Sequence, residues 1–181
     1  MSEVFFKELK DELQKGVSEK DHPFRYCTFA TVGSERMARL RTIVLREVTE
    51  NLALIFYTDK RSKKLIHIKE NHKVSILLYH PKKLLQLKIE GLARVRIDDA
   101  IVKKHWSGIH SNNRKDYTTS KAPGTSIPNP DLIEYLNKEN HFCIIEVEPF
   151  KLEYLKLKRP NHIRIRFSKA DIEWHSEFLV P

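Results

Sequence analysis

Two cysteines, Cys27 and Cys143, stand far apart in a chain of 181 residues. That is too few for a disulfide framework, and they lack the paired spacing of a zinc site. Both fall in stretches that read as strands, so they are expected as buried thiols. No apolar run approaches the roughly 20 residues a membrane span requires. The opening MSEVFFKELKDELQKG mixes acids with bases and lacks the apolar core of an export signal, so a cytoplasmic location is expected. No internal repeat or domain-splitting linker breaks the chain, and residues 1–181 are expected to form one domain of a length that suits a real core. Acid is not in excess: Lys+Arg minus Asp+Glu is 33 − 24 = +9, which implies attraction to anions. The basic residues are scattered without a long run, which weighs against a nucleic-acid partner. With 40% apolar and 31% charged residues, neither a disordered nor a membrane composition fits.

Phe5, Leu9 and Leu13 recur at i, i+4 and i+8, predicting an amphipathic helix over 3–15 that Gly16 ends. The run FRYCTFATV from Phe24 to Val32 predicts a strand. Gly33-Ser34 reads as the turn of a hairpin whose second arm is Met37–Val48. On that arm Arg41, Ile43 and Leu45 share one face, and Thr42, Val44 and Arg46 the other. Arginines on both faces of a half-buried strand conflict, and a bulge or strand end at one of them would ease it. The ordinary alternative is two solvated charges.

Leu52–Thr58 predicts a dense apolar strand. Ser62 then reads as a helix N-cap, with Lys63 and Lys64 in the first turn, Leu65, Ile66 and Ile68 packing inward, and Asn71 at the stop. Lysine in a first turn opposes the helix dipole. Either these are solvated surface charges, or N–H groups and two ammoniums cradle a phosphate there.

Lys73–Tyr79 predicts the next strand, closed by His80-Pro81. Leu85, Leu87, Ile89, Ala93, Val95 and Ile97 then alternate with polar positions that include Gln86, the pattern of a sheet with one wet face. Gly91 within it signals a bulge or a close backbone approach. Asp98-Asp99 is expected to cap a helix to about His110, with Val102, Trp106 and Ile109 inward. Residues 111–129 read as a long polar loop carrying Arg114, Lys115 and Tyr117. A short helix is expected from Asn129-Pro130 to about Asn137. His141–Glu148 reads as a strand ended by Pro149, followed by strands at Phe150–Leu157, His162–Phe167 and Ile172–Phe178. The sum is a mainly β fold of about eight mostly antiparallel strands, closed or partly closed into a barrel, with three or four short helices as covers.

Several motifs stand in register: RTIVLR at 41–46, Tyr57-Thr58, Ser62-Lys63-Lys64, Gln86 five residues before Gly91, Arg166-Phe167, and Trp174 before a final Leu-Val-Pro. Their order and gaps resemble the motif string of the pyridoxamine 5'-phosphate oxidase family. The resemblance implies an antiparallel Greek-key split β-barrel with flanking helices, a homodimer, and flavin mononucleotide (FMN) at the subunit interface. It counts all of Arg41, Thr42, Ile43, Val44, Leu45 and Arg46 among the flavin-binding residues. Within the set it puts Arg41 and Lys64 on the phosphate, Ser62 and Lys63 beside them, Tyr57 and Thr58 near phosphate and ribityl chain, Gln86 at the isoalloxazine edge, and Arg166 as the C-terminal contact.

Where the classical oxidase has the Lys that holds the substrate's phosphate, this chain has Arg46, a cation of different shape. With Arg114 and Tyr117 it is the expected substrate contact. The family's late Arg-x-His has no match; His162 and Arg164 are one residue short in spacing. The segment around Trp106, Arg114, Tyr117 and Pro123-Gly124 resembles a divergent branch of flavin proteins. The implied activity is an FMN-dependent oxidoreductase acting on a small substrate that could carry a phosphate, with no side-chain nucleophile, catalytic acid or base, or metal ligand set. Two other classes compete: a flavin-binding carrier or sensor without turnover, and a basic single-strand nucleic-acid barrel using Tyr57, Tyr79 and the face 88–96. Nothing marks a haem ligand among the nine histidines.

Overall fold

The computed structural model describes residues 2–97 and 99–181. The chain runs α1 (Ser2–Ser18), β1 (Tyr26–Val32), β2 (Ala38–Val48), β3 (Leu54–Asp59), α2 (Lys63–Glu70), β4 (Lys73–His80), β5 (Leu85–Arg96), α3 (Ala100–Gly108), α4 (Ser111–Arg114), β6 (Phe142–Lys156), β7 (Ile163–Ala170) and β8 (Glu173–Leu179). All strands belong to one sheet in the order β3-β2-β1-β4-β5-β6-β7-β8, and β3 also pairs with β6. That extra pairing closes six antiparallel strands into a barrel, while β7 and β8 continue outward from β6. The sequence β4-β1-β2-β3 across the sheet is a Greek key, so the expected split barrel is the fold observed. Among the described residues no helix is long and apolar enough to cross a membrane.

Alternation along the strands builds the core. Phe29, Leu45, Phe56, Ile76, Leu78, Leu87, Ile89, Ile145 and Tyr154 turn inward and are almost fully buried. Helix α1 lays Leu9 and Leu13 on this core. It passes through Gly16 rather than ending there: a Cβ at Gly16 would stand 2.9 Å from Phe24 Cβ, so the glycine admits the Pro23–Arg25 turn against the helix. That turn also delays β1 to Tyr26. The bulge expected on β2 lies between Leu45 and Glu47, at Arg46. It resets the alternation, so Glu47 faces solvent and Val48 the core.

Elsewhere the local pattern misled. Ile66 is exposed on α2, and Ile97 lies exposed beyond the end of β5. The stretch 111–129 holds α4 and a helical turn at Lys115–Tyr117, and the helix expected to Asn137 is a single turn, Pro130–Leu132. Pro149 does not end a strand; β6 runs through it for 15 residues. Asp98 lies outside the described residues, and Asp99 caps α3, accepting from the Val102 N–H at 2.8 Å. Cys27 and Cys143 are buried, and burial pushes the Cys27 thiol up to about 12.

Candidate functional site

Two cationic clusters form where β2 and β3 meet α2 and α3. In the first, Ser62 occupies the N-cap position of α2, but its side chain makes no capping bond. Its hydroxyl instead lies 3.3 Å from Thr58 Oγ1, and Lys64 Nζ donates to both, at 3.1 and 2.8 Å. Ser62 and Thr58 are buried, and they draw the ammonium inward off the helix. Burial, and then the charge of Arg41, push the Lys64 pKa down; burial, and then Arg39, do the same to Arg41. Asp59, whose charge acts on Lys64, is engaged by the Arg61 side chain at 2.7 and 3.1 Å. Lys64 and Arg41 thus form a cation pair with no ion-pair partner among the described residues. A dianionic phosphate would relieve it. Lys63, expected beside them, points to solvent.

In the second cluster the bulged Arg46 lies with its guanidinium carbon 5.2 Å from the Tyr57 ring centre, and its Nε is buried without a hydrogen-bond partner. Tyr57 is held by an aromatic nest. Phe142 is 5.0 Å away, and Trp106 and Tyr117 flank Phe142 at 5.4 and 5.1 Å. The Tyr57 hydroxyl meets His105 Nδ1 at 2.8 Å. Arg46, Tyr57 and Tyr117 line a cavity of about 320 Å³ together with Arg25, His110 and Asn113. Burial raises the pKa of both tyrosines, so their hydroxyls stay protonated and can donate. An orphaned buried guanidinium N–H and the Tyr117 phenol around one cavity suit a small anion, while the Tyr57 hydroxyl is engaged with His105.

The remaining expected residues are spread out. Thr42, Ile43, Val44 and Leu45 link the two clusters along β2, Thr42 and Val44 facing outward. Arg114 donates to the carbonyls of Ile109, Trp106 and Ser107 and stacks on Trp106 at 5.0 Å, fastening the end of α3. Gln86 is the second residue of β5, six residues before the Leu92 that pairs with Lys73 near α2, which is about 20 Å along a strand. Arg166, on β7, is paired with Glu177 at 2.7 Å, and Arg164 with Glu153 at 2.8 Å. Reasoning from sequence missed Thr31, His67, His105 and Phe142. The one available signal was that His67 follows Lys64 at i+3, on the same helical face.

Glu12, His22 and His80 form the one group of potential metal ligands among the described residues. Hydrogen bonding assigns them otherwise. Each imidazole Nδ1 accepts a backbone N–H, from Phe24 at 3.2 Å and from Lys83 at 3.3 Å. The ring protons therefore sit on Nε2 and face Glu12 Oε2, at 3.3 and 3.9 Å, while Lys83 Nζ takes Oε1 at 2.5 Å. The lone pairs a metal would need are turned away. The group is a buried carboxylate held by donors, tying α1 to the Pro23–Arg25 turn and to β4.

Residues 4–97 match the family model described as pyridoxamine 5'-phosphate oxidase, FMN-binding domain. A pyridoxine/pyridoxamine 5'-phosphate oxidase of Zymomonas mobilis is 29% identical over an alignment covering 97% of this chain and 96% of that protein. Another, from a Psychrobacter species, is 34% identical over 88 residues, which span 48% of this chain and only 40% of that relative. Among solved structures, a pyridoxamine 5'-phosphate oxidase-related, FMN-binding protein of Nostoc punctiforme superposes with a TM-score of 0.80 at 23% identity, covering 97% of this chain and 96% of that one. PhzG of Burkholderia lata, solved with tetrahydrophenazine-1-carboxylic acid, superposes equally well at 20% identity, covering 97% and 92%. At these identities the two superpositions speak for the fold alone.

Proposed function

We propose that this chain, which belongs to the pyridoxamine 5'-phosphate oxidase FMN-binding domain family, is a flavin-dependent oxidoreductase acting on a small anionic substrate. The observation that carries the reading is the uncompensated pair Arg41 and Lys64, with Thr58 and Ser62 as hydroxyl partners. These four would hold the FMN phosphate, with Lys63 at the rim and the β2 stretch 42–45 beside the ribityl chain. When bound, the flavin supplies the redox step by accepting two electrons from the substrate. The chain's own residues bind and orient: Arg46 and Tyr117 would grip the substrate's anionic group, with Tyr57 beneath the guanidinium. Arg114 would contribute by fixing α3 rather than by touching substrate.

Gln86 lies about 20 Å along β5 from this site and Arg166 sits on β7, outside the closed barrel; both would serve a second copy. The outer face of β1, β2 and β4 supports that arrangement. It exposes Tyr26, Leu40, Leu77 and Tyr79, an apolar surface of the kind that interfaces cover. The reading is therefore a homodimer with FMN between subunits, residues 1–181 forming one domain that works in the cytoplasm.

The test is titration of the purified protein with FMN, followed by anaerobic mixing with pyridoxamine 5'-phosphate while flavin absorbance is recorded. Bleaching on mixing, lost in Arg46→Ala, is expected; failure to take up FMN would end the proposal. A second reading, a flavin carrier without turnover, draws on the engagement of Arg164 and Arg166 by Glu153 and Glu177. Steady-state turnover with any reductant would exclude it.

A further inference from the structure

We propose that Thr31 and His67 are positioning residues that present Arg41 to the flavin phosphate through a hydrogen-bonded chain. The inference rests on the phosphate-site reading above. Arg41 Nη1 donates to Thr31 Oγ1 at 2.7 Å and to the Phe29 carbonyl at 3.3 Å. Thr31 Oγ1 meets His67 Nδ1 at 3.1 Å. Thr31 comes from β1, Arg41 from the neighbouring β2, and His67 from α2 across the barrel end. Three elements thus converge on one hydroxyl, which is 0% exposed.

The direction of each bond follows from the donors available. A guanidinium can only donate, so Thr31 accepts from Arg41; the buried hydroxyl's own hydrogen needs an acceptor, and His67 Nδ1 is the one its contacts offer among the described residues. His67 must then carry its proton on Nε2. The chain engages one terminal nitrogen of Arg41 and leaves Nε and Nη2 without a hydrogen-bond partner among the described residues. That free edge is the planar fork that binds phosphate bidentately. Rotation of the side chain toward solvent would break two bonds to Nη1 and strand a buried hydroxyl. His67 sits one helical turn from Lys64, so the helix that supplies the second phosphate cation also locks the first. Around His67 stand Glu70 on its own helix, Glu35 of the β1–β2 turn and Arg39 of β2. The Thr31 hydroxyl is its one side-chain hydrogen-bond partner among the described residues.

The experiment compares FMN with riboflavin, which lacks the phosphate, by fluorescence titration of the purified full chain. Thr31→Val keeps the side chain's shape and removes the hydroxyl. It is expected to weaken FMN binding about tenfold, the size of a lost bond to a charged group, and to leave riboflavin binding unchanged. Thr31→Ser, which restores the hydroxyl, is expected to restore FMN affinity. His67→Leu should follow Thr31→Val, and His67→Asn, which keeps an acceptor near the Nδ1 position, should recover most of the loss. A purely structural role would weaken both flavins alike, and that result would overturn the proposal. So would Thr31→Val binding FMN as tightly as the wild type. The phosphate-site reading is checked separately: if wild type shows no preference of FMN over riboflavin, or Lys64→Ala leaves that preference intact, that reading falls and takes this one with it. If wild type shows the preference, Lys64→Ala reduces it and Thr31→Val keeps it, only the positioning role is lost.

Discussion

Gly91 lies opposite Pro149 at the point where the β5–β6 ladder slips by one residue, Glu90 pairing with Lys151 on the other side of the slip. Each residue makes the other tolerable. Proline has no N–H to give a ladder, and at the bulge none is required. Glycine has no Cβ, and one placed there would stand 2.6 Å from Val147 Cγ1 and 2.8 Å from the Glu148 carbonyl oxygen. Through this joint β6 keeps running, closing the barrel on β3 with its first half and carrying β7 with its second.

Gly91→Ala should therefore destabilise the fold by roughly 1–3 kcal/mol, the usual cost of overpacking against atoms that cannot move aside. Urea unfolding monitored by the two tryptophans would measure it. An unchanged midpoint would mean that the β6 backbone shifts without penalty.

Lys64→Ala should lower FMN affinity by about ten- to a hundredfold, the loss of a charge-assisted contact in a partly desolvated site. Lys63→Ala, whose side chain faces solvent, should cost less than threefold by the same reasoning. Equal losses in the two variants would contradict the inward placement of Lys64.

The double substitution Leu40→Glu/Leu77→Glu places acids on the exposed outer face of β2 and β4. We expect a monomer by size-exclusion chromatography, with far-UV circular dichroism intact and FMN affinity reduced. A monomeric wild type, or a monomeric variant that still binds FMN tightly, would show that the site is complete in one chain.

Acid should unfold the protein in two stages. Burial lowers the His80 pKa below its ordinary 6.5, so as pH falls past 6.5 the unfolded chain takes up a proton that the folded one resists, and stability begins to drop. At Glu12 burial pushes the pKa up, but the hydrogen bond and charge of Lys83, with Lys15, outweigh it and hold the carboxyl below 4.5. Its contribution is present above 4.5 and is lost as pH falls through the lowered value. Glu12→Gln should cost about 2 kcal/mol at pH 7 and flatten the second stage. Thermal melts from pH 7 to 3 would show both.

The strands and the helix after Ser62 with its two first-turn lysines were legible in the sequence because period-2 burial and helix-start residues are local signals. Arginines on both faces of β2 left two readings, a bulge or strand end and a pair of solvated charges, and the structure has the bulge, at Arg46. Pro149 misled because a proline ends a strand only where its neighbour needs an N–H; whether it does depends on Gly91, nearly sixty residues away. The helix stop at Gly16 failed for the same kind of reason, since Phe24 needed the space. Lys63 and Lys64 look alike in sequence, and only the placement of Thr58 and Ser62 decides which turns inward. The chain by itself determined which residues alternate, which strands form and where positive charge accumulates. Only the closed barrel decided that Thr31, Arg41 and His67 meet, because their hydrogen bonds join three elements whose approach no local pattern encodes.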